Sequence, residues 1–163
     1  MTKEISIYVP VFNGEKTIKQ CLDSIFNQTL IPNKILVIND NSTDNTKKIL
    51  HDYGNDIRVI NNEKNEGLSH SRFLAVNYLK TKYIASIDAD VVLSKDWLSR
   101  VYHSLEKNSA TLVGGKLYEK YVHKPCNYWR SLRLKQNWGE KDILNPNFIF
   151  GCNNILNTTN LDL

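Results

Sequence analysis

The chain has no run of about 18 apolar residues, so no segment reads as a membrane-spanning helix. Nothing after the first apolar run matches G-x-G-x-x-G, and no G-x-x-x-x-G-K-[ST] occurs. An ordinary dinucleotide loop and a P-loop are thereby excluded. Cysteine is scarce: Cys21, Cys126 and Cys152 are widely spaced and form no C-x-x-C pair. Free thiols in a reducing, cytoplasmic compartment are the simplest account of that odd count. The four histidines do not cluster with them, which argues against zinc. Strong charge of one sign is missing too. A net charge of +4 is too weak to argue for nucleic acid, but suits a small anionic ligand. The N-terminal MTKEISIYVPVF lacks a small-residue cleavage signal and reads as a first strand, not a signal peptide.

What is present is enough apolar material, 41% of 163 residues, for one domain with a core. ISIYVPVF reads as a buried strand. In the NGEKTIKQCLDSIFNQ that follows, Ile18, Cys21, Leu22, Ile25 and Phe26 have helical spacing, with Asn13 as candidate N-cap. KILVIND, IRVINN and YIASIDAD read as further strands. STDNTKKILHDYG, EGLSHSRFLAVNYLK and SKDWLSRVYHSLEKN read as helices, the first of these ending near Gly54 and the last capped by Ser94. Leu68, Ala75 and Leu79 are apolar positions of the third helix. Regular alternation over residues 5–108 predicts βαβ units around a mostly parallel, Rossmann-like sheet, an α/β fold. After Asn108 the pattern becomes mixed. ATLVGGKLYEK reads as strand, turn, strand, CNYWRSLRLKQNW as a basic, aromatic helix, and NFIFGCNNILN as a final strand pair.

Ligands of open α/β sheets bind beyond the carboxyl ends of the strands. Pro10 and Phe12, then Asp40, then Asp88 and Asp90 fall there. Carboxylates at i and i+2 of an extended segment share a face and repel unless a positive partner sits beside them. A divalent Mg2+ or Mn2+ and a diphosphate supply such a partner. Phe12 offers a flat face for a base, and Asp40 an acceptor for a ring N–H. Phe12 as core packing, Asp40 as part of a turn and cap cluster, and Arg72 as a surface charge are the alternatives.

These residues resemble family 2 glycosyltransferases of the GT-A fold. VPVFNGEKTIKQCLDSIFNQT is similar to the family's opening P-x-(Tyr/Phe)-N segment. KILVINDNSTDNT is similar to V-x-D-D-G-S-T-D, with Asn39 and Asn41 as departures. NEGLSHSRFLA, IDAD and FIFGCNN resemble its later motifs in order. The resemblance covers essentially the whole chain. It implies a nucleotide-sugar donor, with uracil the commonest base, held by Pro10, Phe12, Glu15, Asp40, Arg72 and Asp88. It implies Mn2+ or Mg2+ on Asp90 and Asp88. It also implies transfer with inversion to a saccharide, lipid-linked or protein acceptor, with no nucleic acid partner. The expected organisation is a single domain, 1–163, with nucleotide-binding units to 108 and the start of an acceptor side from 109. Such transfer needs a base. The family's acid lies beyond the F-x-G-x-N strand, so the expectation is a chain truncated at its C-terminus, with Glu140, Asp142 and Asp162 as fallbacks.

Three rivals stand beside this reading: a binding module without turnover, a glycoside hydrolase using Asp88 and Asp90, and a sugar-phosphate nucleotidyltransferase. KLYEKYVHKPCNYWRSLRLKQNW is either a solvated helix capping the sheet or a peripheral contact with the inner face of an anionic membrane.

Overall fold

The computed structural model describes residues 4–133, 139 and 141–160. Its strands are β1 (Ile5–Val11), β2 (Lys34–Asn39), β3 (Arg58–Asn61), β4 (Tyr83–Ile87), β5 (Leu112–Gly114) and β6 (Asn153–Asn157). Its α-helices are α1 (Ile18–Phe26), α2 (Thr46–His51), α3 (Leu68–Tyr78), α4 (Trp97–Lys107) and α5 (Pro125–Arg133). The strands form one sheet in the order β3-β2-β1-β4-β6-β5. β1 to β4 run parallel, and β6 is antiparallel to both of its neighbours.

All seven residues of β1 are buried. Their alternation explains the layers. Ile5, Ile7, Val9 and Val11 pack with Ile18, Leu22 and Ile25 of α1 and Leu98 and Leu105 of α4. On the other face, Tyr8 packs with Leu36, Ile38 and Ile84, and with Ala75 and Leu79 at the end of α3. Such strands read as continuous apolar runs because both faces are covered. Each fully buried Ile or Leu contributes about 1.5–3 kcal/mol relative to exposure.

The element boundaries differ from the sequence reading at the polar positions. Asn13 does not cap α1: it has φ 52, and the helix begins five residues later, at Ile18. Its side chain accepts a hydrogen bond from the Thr43 N–H (2.8 Å). Ser94 likewise precedes α4 by three residues, and its hydroxyl donates to Asp96 Oδ1 (3.1 Å). α2 stops at His51, and Gly54 opens a separate 3-10 turn.

The last third holds one strand where each strand pair was expected. β5 ends at Gly114 and pairs with β6, not with a hairpin partner of its own. The Gly114-Gly115 pair marks close approach instead of a turn. A Cβ on Gly114 would lie 2.5 Å from Ile149 Cγ2, and one on Gly115 would overlap Trp97 Nε1. The basic helix is present as α5, and the remainder of its expected span, Leu134–Trp138, lies outside the described residues.

Gln28, just past α1, joins that helix to α4. Its buried amide donates to the Ser24 carbonyl (3.0 Å) and the Ser94 carbonyl (2.8 Å). Its Oε1 accepts the Leu98 N–H (2.9 Å). Ser24 adds a bond from the Leu93 N–H (3.0 Å) to its hydroxyl. Gln28→Ala strips three bonds and leaves buried backbone groups unsatisfied. We expect a loss of about 1–3 kcal/mol or more in urea denaturation, with an unchanged m-value.

Candidate functional site

The sheet order reverses between β1 and β4. β1 is followed through α1 by β2 on one side, whereas β4 arrives on the other. Connections diverge there, and a crevice opens beyond the carboxyl ends of the two strands. A cleft of about 300 Å³ occupies this place, lined by Pro10, Phe12, Gly14, Leu68, Asp88 and Asp90, among others.

Its β1 wall is the loop 12–15, held by three consecutive backbone amides. The Asn13 N–H donates to Ser42 Oγ (2.9 Å), the Gly14 N–H to Thr46 Oγ1 (2.8 Å) and the Glu15 N–H to Asp44 Oδ2 (3.0 Å). The polar turn that leads into α2 thus accepts from three successive amides of this loop. Glu15 returns the favour: its carboxylate accepts from the Asn45 N–H (3.1 Å) and Nδ2 (3.0 Å), at the start of α2. It is engaged there and is not among the residues lining the cleft. Phe12 is not core packing: it is 49% exposed and lines the cleft.

Asp40 is buried and its carboxylate is well used. Asn62 Nδ2 (2.7 Å) and the backbone N–H groups of Glu66 (2.9 Å) and Gly67 (2.8 Å) donate to it. Burial pushes its pKa up, but these donors and the neighbouring His70 outweigh that and hold it below the usual carboxylate range. The carboxylate therefore fixes the loop that leads into Leu68. Leu68, read from the sequence as an apolar position of the helix, is 49% exposed and faces the cleft with Phe12. Its place just after the β3 loop, on the carboxyl edge, was the available signal. Asn39 lies deeper, donating through Nδ2 to Asn61 Oδ1 (2.8 Å).

The β4 wall carries the acids. Arg72 Nη2 donates to Asp88 Oδ1 (3.0 Å) and to the Gly151 carbonyl (3.3 Å), and the Asp88 N–H donates to the Cys152 carbonyl (3.0 Å). The guanidinium lies flat on Gly151, where a Cβ would meet Nη1 and Nη2 at 3.3 Å. The glycine of FIFGCNN thus makes room for the arginine, a role that spacing alone does not reveal. Burial raises the Asp88 pKa, Arg72 opposes the rise, and the Asp90 charge adds to it. Asp90 is exposed and has no hydrogen-bond or ion-pair partner among the described residues. Beneath them, burial followed by the two aspartates pushes the Cys21 thiol up to about 12, so it remains protonated.

Among the described residues, no three His, Cys, Asp or Glu side chains are grouped to hold a metal by themselves. Two carboxylates beside open space can instead share a hard cation with the oxygens of a ligand and with water, as Mg2+ sites do. Of the fallback bases, Asp142 is exposed, and Glu140 and Asp162 lie outside the described residues.

The mostly parallel sheet and its flanking helices are those of the GT-A glycosyltransferases. The chain belongs to glycosyl transferase family 2, whose model matches residues 6–158. An uncharacterized glycosyltransferase of Haemophilus influenzae is 34% identical over 125 residues, covering 75% of this chain and 39% of that protein. Chondroitin synthase of Pasteurella multocida is 38% identical over 94 residues, 56% of this chain and 10% of that one. The crystal structure of S. aureus TarS 1–349 in complex with UDP superimposes with TM-score 0.63 at 26% identity, covering 70% of this chain and 35% of that one. Mannosyltransferase PcManGT from Pyrobaculum calidifontis, in complex with GDP-Man and Mn2+, gives TM-score 0.72 over 98% of this chain and 46% of its own. At 18% identity the latter likeness shows the fold alone. The chain spans 39% and 34% of the length of the first two curated relatives it matches.

Because Asp40 has a lowered pKa, its proton is held more weakly in the folded state than in the unfolded chain, and its ionised form stabilises the fold. That stability is present in full above the unfolded pKa of about 4 and is lost as pH falls through the lower folded value. Asp40→Asn should lower stability at neutral pH and flatten the acid limb of the stability curve below pH about 4. Chemical denaturation at stepped pH measures both.

Proposed function

We propose that the cleft binds a nucleotide-diphospho-sugar, a UDP-sugar before others, and that the intact enzyme transfers the sugar to an acceptor hydroxyl with inversion. The observation that carries this is the company of side chains in one cleft. Exposed apolar Phe12 and Leu68 stand with Asp90, which has no partner among the described residues, and the half-buried Asp88. An apolar slot next to acids suits a flat base joined to a cation-bearing diphosphate, and suits neither a simple sugar nor an isolated anion. The TarS structures with UDP and with UDP-GlcNAc support the choice of nucleotide.

In this reading Phe12 stacks on the base and Leu68 covers it, while Pro10 shapes the floor. Asp40 has three donors on a carboxylate with about four acceptor positions, which leaves one for a ring N–H. Asp90 and Asp88 would hold Mn2+ or Mg2+. Their fit rests on hard oxygen donors from two carboxylates that line one cleft, Asp90 being exposed to it and Asp88 half-buried. When bound, the cation supplies positive charge to the leaving diphosphate. Arg72 orients Asp88 and offsets part of its charge. Glu15 acts indirectly, by tying the loop of Phe12 to α2.

Calorimetry with UDP, with and without Mn2+, tests donor binding separately from sugar transfer. Asp90→Ala should abolish the Mn2+ stimulation of UDP affinity and leave uridine affinity unchanged. Phe12→Ala should weaken UDP and uridine alike, by about 1–3 kcal/mol. Wild-type metal dependence in the first variant and wild-type uridine affinity in the second would refute the assignment.

A further inference from the structure

The helix α5 buries none of its nine residues. It is not the cap on the sheet that one sequence reading allowed. Tyr128, Trp129 and Leu132 are each more than half exposed, and with Pro125 they fall at i, i+3, i+4 and i+7. They therefore form one apolar stripe on the helix. Cations are concentrated in the same stretch of chain. Residues 116–133 contain Lys116, Lys120, Lys124, Arg130 and Arg133 against the single acid Glu119, a net +4. The whole chain is also +4, so the remainder of the protein is neutral and its excess charge is concentrated here.

We propose that this face docks on an anionic phospholipid surface. The stripe of Trp, Tyr and Leu matches the boundary between headgroups and acyl chains, where amphipathic aromatic rings are favoured. The lysines of this stretch and Arg133 match the phosphates, Arg130 being paired with Glu119 (3.7 Å). Self-association through the same face would bring two like charges of +4 together, and protein interfaces are depleted of lysine. The face is also coupled to the donor cleft. Lys120 Nζ (2.9 Å) and Tyr121 Oη (3.2 Å) both donate to Gln20 Oε1, one turn along from Thr17, which lines the cleft. Docking through this face would hold the cleft near the headgroups.

Cosedimentation of the chain with vesicles tests this directly. Vesicles of phosphatidylcholine are compared with vesicles containing about one third phosphatidylglycerol, at low salt and at about 1 M salt. Binding should be confined to the anionic vesicles and should vanish at high salt. Lys124→Ser and Arg133→Ser should each weaken it about five-fold, the equivalent of about 1 kcal/mol per cation near such a surface. Trp129→Ser should weaken it at least as much. None of the three is buried, so thermal midpoints should not move, and the comparison of vesicles stands without any variant. Equal binding to both vesicles, no binding to either, or indifference to all three substitutions would overturn the proposal. So would a lipid-independent dimer that Trp129→Ser abolishes.

Discussion

A strand buried on both faces and paired along both edges has no freedom left, and β1 is in that position. β2 and β4 bond to it from opposite sides, while α1 and α4 cover one face and α3 the other. The chain leaves its carboxyl end toward β2 and returns two units later on the far side as β4. The crevice is a consequence of that path, since no connection can cross it. Every group gathered there depends on β1 being fixed.

Polar residues then turn a crevice into a shaped cleft. Ser42, Asp44 and Thr46 hold three amides of the loop carrying Phe12, and Asp40 holds two amides of the loop carrying Leu68. The two apolar walls are thus set by carboxylates and hydroxyls that stand behind them. Arg72 does the same for Asp88, bracing it against the Gly151 carbonyl. The side chains that would meet a ligand are few, and most of the acidic motif around Asp40 is internal framework.

The parallel strands were legible because a strand covered on both faces is a plain apolar run. Pro10, Phe12, Asp88 and Asp90 were placed at one edge by that register alone, and they do line one cleft. Polar positions were less legible, because the same residue types serve caps, turns and tertiary bonds. Asn13 and Ser94 have the composition of N-caps, yet the first spends its side chain on Thr43 across the loop and the second on Asp96 two residues on. Glu15 looked like a ligand-side acid, and its bonds run to Asn45. The glycine pair at 114–115 reads as a turn until Ile149 and Trp97 are seen pressed against it. Leu68 could not be told from a core residue by periodicity, since only three dimensions show which apolar position has no neighbour.

β5 and β6 meet over three registered pairs, Leu112 with Leu156, Val113 with Ile155 and Gly114 with Asn154. Residues 116–133, α5 included, leave the sheet after β5 and add no strand to it. A segment suspended between adjacent antiparallel strands can lengthen at low cost, since each doubling of a loop adds only about 0.6 kcal/mol of closure entropy. The chain therefore has a modular seam. The stretch around α5 can be exchanged, extended or rewritten in evolution or by grafting, while the strands that frame the cleft keep their register.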